Sequence, residues 1–420
     1  VTSGYGQQAR LRLSPEERKA HAARPPLAAQ SSFGEPLPER VTRGMVFARL
    51  VNFVEGHAAV TPALACAVAG LLDGRPLPPV PALGNGCPGE IQALSHLLGP
   101  LAQTLELREK EALALINGSP CASALLADAC LAARRRLARA EAVFALAWQG
   151  LMAPLDHLDP ALDALWDDEE ERGVLGRLRG YLAGAEADRR RPYQAPVSWR
   201  IVPRVLGQAA RALRQAEAAA ATALAAVTDN PVFLPPDADH PNGRCLSTGG
   251  YHNAAAYPAL DNLAAAWADL ALLCDRQATK LLDGAVSLLP PQLVSVPGAY
   301  IGTLGFTAVA YAEQARQAAQ RTFLPGSEGG GFGQNDVPVP TFFAWRKEGE
   351  AGRSLDAALA ILAAVASQAL HVTGNPVPAP LRALLEEVRS LMPPVEAPSA
   401  PAARLAALAE RFTHSAFAAG

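Results

Sequence analysis

The feature that most limits what this chain can fold into is a series of long Ala/Leu-rich stretches with a helical apolar period. They cover residues 120–150, 201–227 and 254–282, with further stretches at 298–320, 354–372 and 380–418. Ala, Leu, Gln, Arg and Glu are strong helix formers, and here Gly and Pro gather between the stretches rather than within them. No internal repeat and no convincing strand emerges. The pattern predicts an all-α chain. With 420 residues, 50% of them hydrophobic and 18% charged, it can bury a large core, and length alone suggests two or three domains.

Local punctuation is readable. Ser14-Pro15-Glu16-Glu17 is a capping box with Pro at the first helical position. Residues 37–74 read as mostly helical, broken near Thr61-Pro62. Thr228-Asp229-Asn230-Pro231 ends the helix of 201–227, and 233–244 is a polar, Pro-rich loop. The runs Arg134-Arg135-Arg136 and Asp167 to Glu171 read as solvated faces.

The formal net charge of −3 makes no case for nucleic acid binding. No uncharged run long enough to span a bilayer is visible, so no membrane span is expected. The six cysteines show no CxxC or Cys/His metal spacing, which fits free thiols in a reducing, cytoplasmic setting. No signal peptide is visible, although the chain starts inside a motif. The Gly-rich run 326–333 lacks GxxxxGK[ST], so a phosphate loop is not expected.

One stretch carries chemistry: Gly84-Asn85-Gly86-Cys87-Pro88-Gly89-Glu90-Ile91-Gln92-Ala93-Leu94-Ser95-His96. It reads as a tight Gly/Pro loop that delivers a helix N-terminus, with Glu90 in the first turn. Unpaired backbone N–H groups there suit an anion or an electrophilic centre, and the same pattern also describes a plain helix-entry turn. On spacing alone, a lone His57 is more often structural, Asn117-Gly118 is an ordinary helix stop or turn, and an Arg200 ahead of a long helix is usually a surface ion pair; ligand-binding roles are the alternative.

These stretches together resemble the aromatic amino acid ammonia-lyase family, which includes histidine, phenylalanine and tyrosine ammonia-lyases and related aminomutases. The loop resembles V-P-x-x-G-S-x-G-A-S-G-D-L-x-P-L-x-H through Val80, Pro81, Gly84, Gly89, Leu94 and His96, with Glu90 for the Asp. Lys110 to Ser119 is similar to E-G-L-A-L-I-N-G-T, and Gln194 to Gly207 to Q-D-x-Y-S-x-R-x-x-P-Q-x-x-G. Further similarities are Glu55 to Ala59 with S-H-A-A-G, Thr228 to Pro231 with T-D-N-P, and Gln334 to Val337 with Q-E-D-H or N-Q-D-V.

The resemblance spans essentially the whole chain. It implies a long-helix bundle core over 151–420, a loop-rich N-terminal lobe over 1–150, and a homotetramer whose active sites are shared between chains. It also implies site roles. His57 would line the pocket for a substrate ring, Asn117 and Gln194 would bind substrate, and Arg200 would grip a carboxylate with its planar fork. Gln334 and Asn335 would lie near the substrate amine. The segment with Tyr5 resembles the end of the loop that carries the family's base, and Tyr5 is the tyrosine nearest that role.

The chain departs from the pattern at its centre. The family's Ala-Ser-Gly cyclises into the electrophilic imidazolone MIO, whereas this chain has Cys87-Pro88-Gly89 in a segment one residue short. Cyclisation needs a serine oxygen to lose and a middle nitrogen able to become an imine, and a proline nitrogen has no hydrogen to give up. MIO is therefore expected to be absent. Val197 also replaces a family Tyr, and Asn335 replaces a Glu, removing a charged acid/base. Cys87 at a helix N-terminus is the one candidate replacement nucleophile. The reading is a diverged enzyme acting on an aromatic or heteroaromatic amino acid or carboxylate without MIO. The alternatives are an inactive binding or scaffold subunit, and an ordinary ammonia-lyase with a misread loop.

Overall fold

The structure is a computed structural model that describes residues 10–187, 190–191, 193–327 and 333–415. It is overwhelmingly helical. The longest helices are Pro120–Leu151, Val202–Ala225, Ala256–Leu282 and Thr341–Thr373. Each matches a stretch with helical apolar periodicity, although the last begins well before residue 354. The expected C-terminal helix of 380–418 is two helices, Arg382–Leu391 and Ala402–His414, because the intervening residues include Pro393, Pro394, Pro398 and Pro401.

The N-terminal capping box forms as read. Ser14 Oγ accepts the Glu17 N–H at 3.2 Å, and Glu17 Oε2 accepts the Ser14 N–H at 2.7 Å. Thr61 likewise caps the helix Pro62–Ala69. The expectation of no strand is corrected by one short antiparallel pair, Val232–Leu234 with Arg244–Leu246. Three-residue strands leave too little alternation to register as a sequence pattern.

The chain divides into two compact units. The first comprises Val1–Ala129, Ala216–Leu260 and Arg321–Arg346; the second comprises Cys130–Gln215, Asp261–Gln320 and Lys347–Gly420. Both units are discontinuous in sequence, so neither coincides with 1–150 or 151–420. Four of the five boundaries fall inside the four longest helices, and the fifth, after Gln320, follows the helix Leu304–Ala318.

In the first unit, one apolar cluster joins Val41, Met45, Leu64, Leu94, Leu97, Leu115 and Leu125, with Phe342 from the third segment. That cluster buries one face of Glu39–Val54 and of Ile91–Ala102, and so fixes the helix that follows the central loop. The second unit fully buries Trp148, Trp199 and Trp267. Two helical spans, Glu111–Leu151 and Thr341–Thr373, are long and apolar enough to cross a membrane, yet their apolar windows are 83% and 89% buried inside the protein. Those figures describe core helices.

Candidate functional site

The loop 84–90 is built from its flanks. Backbone pairing from Leu37 N to Val80 O (2.8 Å) and from Ala82 N to Glu35 O (2.9 Å) anchors its entry. Gln92 Oε1 accepts the Gly86 N–H at 3.1 Å and closes the loop over its own helix. A single 3-10 turn, Pro88–Glu90, then leads into the helix Ile91–Ala102.

Gly89 (φ +72°) and Glu90 (φ +58°) are both left-handed. Left-handed backbone suits Gly and strains Glu. The strain takes Glu90 out of the first helical turn where the sequence reading placed it. Its carboxylate turns inward and accepts the N–H of Cys121 at 2.6 Å and of Ala122 at 2.7 Å. Glu90 therefore caps the first turn of Pro120–Leu151, where a negative charge meets the positive end of a helix. Burial nonetheless dominates and raises its pKa to about 7, against the opposing pull of the two backbone donors and of Arg49.

This cap brings two predicted site segments together. Gly89 O accepts the Gly118 N–H at 3.1 Å. Gly89 lies so close to Asn117 that a Cβ added there would sit 3.0 Å from Asn117 Oδ1. Asn117 ends the helix Glu111–Ile116, and its buried Oδ1 has no hydrogen-bond donor among the described residues. Its backbone carbonyl accepts from Arg49, which is fully buried and paired with Asp229 at 3.2 Å. The arrangement presents a free amide oxygen beside Cys87-Pro88-Gly89. Sequence reasoning missed Glu90 and Arg49 as the groups that make this junction, because their partners lie far along the chain.

Cys87 is half-buried. Burial pushes its thiol pKa up, opposed by a backbone hydrogen bond from Ile91. The expectation that a helix N-terminus would activate this thiol is thus corrected, because desolvation outweighs the backbone donor.

His57 is also half-buried. Its Nδ1 lies 2.8 Å from Phe233 O, and its backbone carbonyl accepts the Phe233 N–H at 2.8 Å. It holds the short strand pair. Lys110 Nζ donates to Ala58 O, and Glu111 accepts the N–H of Thr61 and of Arg108. These buried charges fix the segment that carries His57. Gln334 is exposed and Asn335 half-buried, while Tyr5 lies outside the described residues.

Arg200 belongs to the second unit. It closes the short helix Val197–Arg200, and its buried Nε has no acceptor among the described residues. Gln277 Nε2 donates to Ser198 O at 2.8 Å, and His157 Nε2 accepts the Ala195 N–H at 3.2 Å. His157 was not singled out in the sequence. Its pKa is lowered by burial and then by the Arg200 charge, opposed by Asp156. Gln194, Val197 and Tyr193 are exposed. A guanidinium whose Nε has no acceptor among the described residues can take a carboxylate. Among the described residues, no cluster of His, Cys, Asp or Glu could hold a metal ion.

Comparison with known proteins gives the family. The sequence model described as "Aromatic amino acid lyase" matches residues 1–103 and 101–390. The chain belongs to that family. Among curated relatives, histidine ammonia-lyase of Geobacillus kaustophilus (strain HTA426) is 30% identical over 332 residues. That alignment covers 72% of this chain but only 65% of the relative's length. Among solved structures, tyrosine aminomutase from Streptomyces globisporus aligns with a TM-score of 0.86 at 22% identity, covering 98% of this chain and 86% of that one. Phenylalanine aminomutase of Pantoea agglomerans aligns with a TM-score of 0.88 at 18% identity, covering 99% and 89%. At those identities the structural likeness establishes the all-α fold.

Proposed function

We propose that this chain acts on an aromatic or heteroaromatic amino acid or carboxylate, by elimination, isomerisation or cyclisation, without the MIO electrophile. The observation that carries the reading is the pairing of a retained carboxylate fork with a changed loop. Arg200 keeps a buried Nε without an acceptor, while Pro88 stands where the cyclising serine would be. Proline offers neither the hydroxyl to lose nor the N–H to become an imine, so the residues present do not fit the group.

The chain's own residues then define the chemistry. Arg200 would orient a carboxylate, Asn117 Oδ1 would accept from a substrate N–H, and His57 would border the ring, with Gln194, Gln334 and Asn335 as further polar contacts. We place these groups in a cytoplasmic homotetramer with shared active sites, as the sequence resemblance implies. Losing an electrophile that activates the amine costs many orders of magnitude in rate unless another group replaces it.

A second reading, a catalytically inactive binding subunit, is favoured by the raised pKa of Cys87, the one nearby nucleophile. Two experiments separate these readings. Intact mass spectrometry should give the mass of the unmodified chain; loss of two waters would restore the ordinary ammonia-lyase reading. Ammonia release and ultraviolet absorbance are then followed with histidine, phenylalanine and tyrosine at enzyme levels stoichiometric with substrate. Turnover abolished by Arg200→Ala supports the enzyme; no turnover supports the binding subunit.

A further inference from the structure

His157 belongs to the same unit as Arg200 and has no part in the chemistry proposed above. It lies on the single 3-10 turn Leu155–Leu158. The fold braces that turn on both sides. Trp148 Nε1 donates to Pro154 O at 3.2 Å, Arg190 donates to Ala153 O at 2.8 Å, and Arg179 donates to Leu158 O at 3.2 Å. The imidazole and the buried Trp148 ring meet edge to face, with centroids 6.2 Å apart and planes at 69°. The imidazole therefore has a fixed place and direction.

Its Nε2 faces the chain that leads to Arg200, where it accepts the N–H of Ala195 at 3.2 Å. Ala195 is 2% exposed, so water does not readily replace that acceptor. Pro196, which has no N–H of its own, then opens the short helix Val197–Arg200. The bond from Ala195 thus ties the stretch 193–196 to a rigid turn just ahead of the guanidinium.

An imidazole nitrogen accepts a hydrogen bond only while it carries no proton, so this geometry selects the neutral ring with its proton on Nδ1. Protonation would set a second donor against the Ala195 N–H and add a cation near Arg200. Burial and then the Arg200 charge hold the His157 pKa below its ordinary 6.5, against Asp156 on the same turn. Arg190 and Arg179, which brace the turn, are cations as well. The bond is therefore intact at neutral pH and is lost as pH falls through the lowered value.

We propose that His157 is a positioning residue for the carboxylate fork: the neutral ring latches the stretch ahead of Arg200, and its protonation releases that stretch. The proposal deepens the reading of Arg200 given above and rests on it only for what the fork binds.

Hydrogen exchange at the Ala195 amide of the whole chain reports the latch, with labelling times scaled for the intrinsic effect of pH. The wild type should protect this amide at pH 8 and exchange it at least tenfold faster at pH 5. His157→Gln offers a carbonyl oxygen in place of Nε2 and does not titrate, so it should keep the protection at both pH values. His157→Ala should lack it at both. The amides of Val174, Leu175 and Leu178, buried in the helix Glu169–Tyr181, should hold throughout and so separate release of the latch from general loosening. Equal wild-type protection at pH 8 and pH 5 overturns the proposal. So does a His157→Gln variant that loses protection in acid as the wild type does.

Calorimetric titration of 3-phenylpropionate reads the coupling to Arg200. From pH 8 to pH 5 the wild type should lose at least threefold more affinity than His157→Gln, which meets the same change in ligand ionisation. Equal losses overturn the coupling. Absence of binding at either pH, with the exchange pattern as expected, removes the carboxylate reading of Arg200 and leaves the latch standing.

Discussion

The carboxylate of Glu90 accepts the backbone N–H of Cys121 at 2.6 Å, across 31 positions of sequence. The contact fixes the exit of the central loop to the start of the longest helix of the N-terminal half. It does so with a group that is 2% exposed and has a pKa raised to about 7.

That raised value gives a signed pH dependence. A carboxyl that binds its proton more tightly when folded stabilises the protein below its unfolded pKa, near 4.5. The stabilisation is lost as pH rises through about 7. On the order of 3 kcal/mol is at stake if the full shift is realised. Glu90→Gln should therefore flatten the fall in urea midpoint between pH 5 and pH 8. A wild type whose midpoint does not fall across that range would contradict the assignment.

Gly89 is the tightest point between the loop and Asn117. Gly89→Ala must hold a left-handed φ of +72° and place a methyl 3.0 Å from Asn117 Oδ1. The backbone strain alone is worth about 1–2 kcal/mol. Thermal unfolding should show a lower midpoint. If the proposed substrate contact of Asn117 holds, substrate KM should rise more than kcat falls.

Thiol labelling under native conditions should sort the cysteines. Cys66 and Cys245 are exposed and should react first. Cys87, half-buried with its pKa pushed up, should react later and speed up with rising pH. Cys121 and Cys274, buried with pKa values well above the ordinary range, should react only on unfolding. Labelling of Cys87 ahead of Cys66 at neutral pH would restore it as an activated nucleophile.

In the second unit, Arg136 forms two 2.9 Å bonds with Asp356, with both side chains buried. Trp267 Nε1 donates to the neighbouring Glu348 at 2.8 Å. Arg136→Met strands Asp356 and should cost about 3–5 kcal/mol in chemical denaturation. Adding Asp356→Leu should recover part of that loss. A double variant no better than the single would show that Glu348, not Asp356, carries the pairing.

What the sequence made legible was local. The Ser14–Glu17 box, the break near Thr61-Pro62 and the Ala-rich helices Pro120–Leu151, Val202–Ala225 and Ala256–Leu282 depend on residues within a turn of one another, and these appear where their patterns stand. The loop 84–90 and Asn117 could be matched through resemblance, and the structure sets them side by side. Glu90 was misplaced because its backbone conformation is set by partners at 121 and 122, which no local rule can see. Cys87 was misjudged for a related reason. Its desolvation comes from the surrounding fold, while the helix end that would activate it can be read from the sequence. The strand pair at 232–234 and 244–246 is held by His57, far upstream in the chain.

The interleaving of the two units bears on how the chain must be made. The first unit draws on residues up to Arg346, so its opening 129 residues leave the ribosome long before their last partners do. At ordinary synthesis rates the delay over the intervening 217 positions, 346 minus 129, is roughly 10–40 s. Throughout that interval the apolar face that will receive Phe342 is without its closing side chain. Slow codons between positions 129 and 346 would lengthen that exposure, and the open apolar face is the surface on which a chaperone would act.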